Sequence, residues 1–348
     1  SDSRIHDYLY HPDTLLLASQ LDMLSAITDP SNSYDSHHRN WCNTASIIFS
    51  QNGTYKLGLY DIQYDRWRVA LNVPVFHQSL DYRRGGIDTL MHGTWVYFRP
   101  DASFRHMSED GKHDFRLSAG YQCAPVDILN QIGYRDDSQP LVIKEGNPDL
   151  KGTATTSANV DYTRKYGTHV SLWHAGASFN YRHRDVAQSA SYNPVTGVYT
   201  YKPMNVSGAY SATARFDISA NIGEKRYWTW QMNADANYDH SVDHAMLAGE
   251  TESHVNAVNT TVLHDGTYIQ YNKDAFNIRA SGDIRWRHSE GRMHDFETLD
   301  ALDFNYGLSA RYTLPRIKTT LSADATMYSR RGLSLIHISE PTRLLSIS

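Results

Sequence analysis

No run of about 18 apolar residues exists in this chain, so a transmembrane helix is excluded. Cysteine is almost absent. Cys42 and Cys123 are the two in 348 residues, too few for a disulfide framework or a thiolate metal site. Positive charge is also scarce: 33 lysines and arginines face 38 aspartates and glutamates, for a formal net charge of −5. They form no basic stripe, so nucleic acid is not an expected partner. Catalytic signatures are missing as well. The 18 histidines form no HExxH and no His-x-His pair, and the adjacent His37 and His38 point apart in extended chain. There is no P-loop, dinucleotide fingerprint or nucleophile elbow. Asp239 with His240 and Asp243 with His244 have no serine at a recognisable spacing. No cofactor, no metal ion and no enzymatic activity are expected.

What is present is alternation. From residue 226 to 240 one parity reads Trp228, Trp230, Met232, Ala234, Ala236, Tyr238, and the other Thr229, Gln231, Asn233, Asp235, Asn237, Asp239. A β-strand sends successive side chains to opposite faces, so this segment has one apolar face and one wet face. Its length exceeds the usual globular strand of about 5–6 residues and suits a tilted strand crossing a bilayer, which needs about 9–11. The same pattern fills 207–222, 276–288 and 304–314, and weaker versions run through 66–82, 94–106, 113–123, 153–163, 168–182, 254–271 and 317–330. At 170–173 the parity slips, which predicts a β-bulge. Tyrosines number 24 against 10 phenylalanines, and rings with polar tips suit the two interfaces of a bilayer. A mean hydropathy of −0.56 fits a wall in which alternate residues meet lipid.

The connections alternate in length. Short polar turns fall at 108–112 (SEDGK), 164–168, 223–227, 272–275 and 315–318, and longer loops at about 83–93, 124–152, 183–206, 241–253 and 289–302. In outer-membrane barrels the short turns face the periplasm and the long loops the exterior. A soluble sandwich or propeller would not need strands this long or this rhythm. The expected fold is all-β: an antiparallel transmembrane β-barrel wall of about 12–13 long strands. Several strands at about 4.8 Å each would separate Cys42 from Cys123, beyond the roughly 7 Å that a disulfide spans, so two free thiols are expected.

Three regions follow. Residues 1–40 are expected to be an extracellular loop region with a short helix at 14–27, leading into a strand near Trp41. Residues 41–332 are the partial barrel, in which Asn52-Gly53 is either a hairpin turn or a bulge. Residues 333–348 begin LSLIHISEPTR, which is similar to the in-frame translation of a sequencing-library adaptor, and are expected to be non-native. Ser1 has neither a methionine before it nor a signal peptide after it, so the chain is expected to start inside a longer one.

Residues 145–151 (EGNPDLK) resemble the GNP-x-L-K stretch in extracellular loops of TonB-dependent receptor barrels. The segments 82–90 (YRRGGIDTL) and 96–103 (VYFRPDAS) resemble the large Bacteroidetes-type outer-membrane β-barrel group related to those receptors. The resemblance covers about 40–332 and implies a barrel of about 22 strands, so the chain is expected to be truncated to an open curved sheet with unpaired backbone at both edges. It implies a plug-gated pore that takes up a scarce nutrient, an iron chelate or a glycan, captured by extracellular loops. The partners it implies are outer-membrane lipid, a plug domain of the same full-length chain, TonB acting through N-terminal parts, and a surface lipoprotein. The alternative is a barrel without energy coupling: a passive pore, adhesin or structural surface protein.

The polar parity supplies candidates. Arg215, Asp235, Arg279, Asp283, Arg285, Arg287, Arg311 and Asp324 would point into the lumen. The plainer reading is solvation and cross-strand pairing. The sharper one is that Arg279, Arg285 and Arg287, on one strand, form an electropositive ladder that docks plug carboxylates or steers an anionic substrate. In the loops, Tyr192, Tyr199, Tyr201 and Tyr210 are candidates to stack on a sugar or aryl chelate.

Overall fold

The computed structural model describes residues 2–7, 33–57, 60–84, 87–139, 141–166, 171–246, 249–293, 298–316 and 319–332. These form one largely antiparallel sheet. Its strands are β1 (Asp2–Asp7), β2 (Tyr34–Leu57), β3 (Tyr60–Arg84), β4 (Ile87–Val96), β5 (Arg99–Met107), β6 (His113–Ala124), β7 (Arg135–Gln139), β8 (Val142–Glu145) and β9 (Thr153–Tyr166). They continue as β10 (Ser171–Asn193), β11 (Val198–Val206), β12 (Ala209–Ile222), β13 (Trp228–Ala245), β14 (His254–Lys273), β15 (Phe276–Gly291), β16 (Leu299–Leu314) and β17 (Thr319–Arg331).

Pairing runs from β2 to β3, from β3 to β4 and β5, then through β6, β9, β10 and β12, and strand by strand to β17. β4 and β5 form one traverse, broken where they pass Pro74. Proline has no N–H to give a ladder, and there the Tyr97 N–H donates to the Pro74 carbonyl at 3.0 Å. Counted this way, about twelve long strands cross the wall, as the alternation predicts. The wall is open. Among the described residues, β17 pairs only with β16, and β2 beyond Arg39 pairs only with β3.

Register separates the two faces. Phe216, Ala234, Ile284 and Phe304 lie in one row of the apolar side; Arg215, Asp235, His264, Arg285 and Asp303 lie in one row of the polar side. The apolar face carries rings toward both ends. Near the short turns, Trp67 meets Phe104 with ring centroids 4.4 Å apart, Tyr162 meets Trp173 at 5.0 Å and Trp228 meets Tyr271 at 4.9 Å. Toward the loops, Phe179, Tyr210, Tyr238 and His240 cluster within 4.9–6.2 Å. Between the belts lies a shallow apolar groove of about 510 Å³ over Ala158, Ala177, Ala212, Ala214 and Ala236. Asp265 interrupts this face. It sits in register with Ala234 and Ile284, and its Oδ1 is buried with no hydrogen-bond partner among the described residues.

Several expectations are corrected. The segment 183–206 is not a loop: β10 continues to Asn193 and returns as β11, an antiparallel hairpin. The loop expected at 83–93 is strand at 83–84 and 87–93, where β3 and β4 keep pairing through Arg84 and Ile87, and residues 85–86 lie outside the described residues. Strand β2 begins at Tyr34 rather than Trp41 and pairs with β1, so residues 1–40 are not simply loop. The helix expected at 14–27 and the tail 333–348 lie outside the described residues. The register of β10 runs evenly from Ser171; the bulge falls instead between Arg182 and Arg184, and Val170 is outside the described residues. Asn52-Gly53 is not a turn, since the register shifts between Gly53 and Thr54 inside β2. Cys42 and Cys123 are both free thiols, one exposed and one buried.

Candidate functional site

The segment 125–152 folds onto the polar-face side of β3. Alternation from Arg68 through Asn72 and Gln78 puts Leu80 and Tyr82 on that side, where they pack against Ile128 and Ile132. The Gln78 side chain accepts the Ile128 N–H at 3.0 Å, and the nearly buried Arg84 guanidinium pairs with Asp136 at 2.7 Å. Tyr134 joins this cluster, and burial pushes its phenol above the ordinary value.

The EGNPDLK segment has a structural job here. A side chain on Gly146 would run into the Ile132 carbonyl. Buried Asn147 donates from Nδ2 to the Pro203 carbonyl at 2.8 Å, while its Oδ1 accepts the Asp149 N–H at 3.1 Å. Lys151 and Asn205 exchange two bonds, at 2.7 and 2.8 Å. The motif thus clasps the long loop to β11. Above it, β8 runs parallel to β11, β7 lies outside β8, and residues 251–253 bond along the far side of β10. These pieces form a small sheet at the loop end. On it Tyr192 and Tyr199 stand 4.6 Å apart, and Tyr199 and Tyr201 stack at 6.4 Å. Tyr210 is not with them: it belongs to the outer aromatic belt, 4.9 Å from His240.

The eight lumen candidates all lie on the polar face, but none forms an Arg–Asp ion pair among the described residues. Asp235 and Asp283 instead bond to His264, from Nδ1 at 2.9 Å and Nε2 at 2.7 Å. Each carboxylate gives its other oxygen to an amide, Asn237 at 2.8 Å and Asn305 at 3.5 Å. Arg279 lies over the Tyr268 ring, 3.7 Å from its centroid. Arg279, Arg311 and Asp324 line a polar cavity of about 490 Å³ near the short-turn end, and Asp283 and Arg285 another of about 550 Å³. Arg215 and Arg287 lie in neither. Ion pairs do form elsewhere on this face, where Asp114 takes Arg105 and Arg116 and Asp303 takes Arg330.

Sequence reasoning missed the histidines. A second clamp repeats the first: His174 meets Asp161 from Nε2 at 3.1 Å and Asp217 from Nδ1 at 3.2 Å. In both, one carboxylate lies straight across from the histidine and the other across from the glycine two residues on, Gly176 or Gly266. A Cβ at Gly176 would crowd Asp161 at 2.9 Å. The readable trace is His-x-Gly on the polar parity of β10 and β14.

A wall one strand thick, apolar and ringed on one face and charged on the other, is the wall of an outer-membrane β-barrel. A family model described as the outer membrane protein beta-barrel family matches residues 112–327, and the chain belongs to that family. Its place is the bacterial outer membrane. No curated protein and no solved structure matches the chain.

Proposed function

We propose that this chain is the barrel part of a TonB-dependent-receptor-like protein that brings a scarce nutrient, an iron chelate or a glycan, across the outer membrane. The observation that carries the reading is the sheet at the loop end. It brings Tyr192, Tyr199 and Tyr201 together in one row above a polar face that carries arginines. Aromatic faces stack on planar groups and sugar rings, and the arginines below would meet an anionic group or the carboxylates of a plug. Plug, TonB and a surface lipoprotein are partners in this reading. It includes no catalysis: both clamp histidines spend both ring nitrogens on carboxylates, leaving neither as a base for a nucleophile.

A passive pore is the second reading, favoured by the long loop packing on the polar side of the wall, where it would narrow the lumen of a closed barrel. Uptake by cells producing the full-length protein separates the two. Energy-coupled import predicts that an uncoupler abolishes uptake and that Tyr199→Ala with Tyr201→Ala raises the half-saturating concentration about tenfold or more. Uptake that survives the uncoupler removes the receptor reading.

A further inference from the structure

The groove of about 510 Å³ on the apolar face has a floor of methyl groups. Ala177, Ala214 and Ala236 lie directly across from one another, so three adjacent strands are low in the same row. Large side chains stand around that floor. Phe179 and Tyr238 flank Ala212 in the next row, and Leu117 and Val160 close the row of Ala177 on the β6 side. Toward the short turns rise Trp173 and Phe216, their ring centroids 6.2 Å apart.

The lining decides the class of ligand. Asn159, Ser178, Thr213 and Asn237 border the groove, but parity sends their side chains to the polar face. Their main chain is spent in the ladders that join β9, β10, β12 and β13. Tyr238 donates its hydroxyl to Asn259 Oδ1 at 3.1 Å, which leaves the Thr261 hydroxyl at the margin. A sugar, a peptide or an anion would shed water here and regain almost no hydrogen bonds. A hydrocarbon chain has none to lose.

Position decides the source. The groove is continuous with the face that meets the bilayer, and it lies in the half nearer the long loops. On β12, Ala212 and Ala214 follow Tyr210 of the outer belt, and Phe216, Ile218 and Ile222 lie beyond them. A second copy of this chain fits the groove poorly. Two convex walls touch along their ridges, here the rings, and leave the recessed methyls uncovered. A string of methylenes is narrow enough to lie between the rings and regain the dispersion contacts that an empty hollow forfeits. We propose that this groove binds one acyl chain of a lipid in the exterior leaflet, bracketed by Phe179 and Tyr238 on the loop side and by Trp173 and Phe216 below. The site goes beyond the transport reading and needs only the lipid-facing assignment.

The test uses the full-length protein in phosphatidylcholine vesicles that carry a minor share of the same lipid with a photoreactive diazirine on one acyl chain. A diazirine at mid-chain is expected to label β10, β12 and β13 severalfold more than the lipid-facing surface around Leu308 and Leu321. A diazirine near the ester is expected to label closer to Tyr210, and one at the chain end closer to Phe216. Ala214→Phe fills the floor and is expected to bring labelling down to the level of β16, whereas Thr213→Phe, on the polar face, leaves it unchanged. The wild-type map decides by itself where Ala214→Phe fails to assemble. Even labelling of all lipid-facing strands, the reversed depth order, or labelling that Ala214→Phe leaves intact overturns the site. Oxidative cross-linking of Ala214→Cys into dimers, absent from the wild type, would give the groove to a second copy and overturn it too. Uptake that survives the uncoupler removes the receptor reading and leaves this site standing.

Discussion

Asn147 has no freedom to be another residue, because both ends of its amide are committed inside a buried corner. Asn147→Ala leaves the Pro203 carbonyl and the Asp149 N–H without partners, a loss of about 1–3 kcal/mol for buried groups. The expected result is local: hydrogen exchange rises in 125–152 and 198–206, while β13–β16 stay protected. Uniform loss of protection would contradict the clasp. Asp265 works in the opposite direction. A carboxylate set among Ala234, Ile284 and the lipid face is costly, so Asp265→Ala is expected to stabilise the protein in bilayers by about 1–2 kcal/mol. A lower unfolding midpoint in urea would show that Asp265 serves something the apolar row does not reveal.

At the scale of strands, identity of face outweighs identity of residue. Ala214 and Thr213 are neighbours on β12, one on each side. Ala214→Arg is expected to cost about 2–4 kcal/mol near mid-bilayer, whereas Thr213→Arg, facing water, costs little. Equal losses in a bilayer unfolding assay would contradict the partition. The turn joining β5 to β6 carries a pH dependence. Ser108 Oγ, donating at 2.5 Å, and the Lys112 N–H at 3.0 Å hold the Asp110 carboxyl down to about 2. Because its folded value lies below the unfolded one near 3.9, these contacts stabilise the turn above about pH 4 and are lost as pH falls toward 2. Exchange of the Lys112 amide is expected to quicken over that window, and Asp110→Asn to abolish the transition.

Legibility followed the bilayer. Strands β12 to β16 were readable in the sequence because one face meets hydrocarbon and the other water, and that contrast writes itself as period two. The hairpin of β10 and β11 was not. Past the apolar belt both faces are largely wet, so a run such as VYTYKPMNV loses its contrast and reads as loop. Parity alone groups the eight candidates on one polar face, and the register groups them in the same way. Their partners were not legible, since His264 draws Asp235 and Asp283 from two other strands, and register across strands leaves no local signal. Tyr210 was misgrouped for the same reason: adjacency in sequence to β11 hid its place in the outer belt.

The molecule as a whole is a single sheet whose two surfaces meet different solvents, and both the family assignment and the proposed transport depend on it. Site-directed spin labels at each position of β13 from Thr229 to Tyr238, in the full-length protein in bilayers, test this most directly. Collisions with oxygen, which concentrates in hydrocarbon, are expected to peak at Trp230, Met232, Ala234 and Ala236, and those with a water-soluble nickel chelate at Gln231, Asn233, Asp235 and Asn237. A tryptophan- and alanine-bearing parity shielded from both reagents would mean that protein, not lipid, covers that face, and the outer-membrane wall would be contradicted.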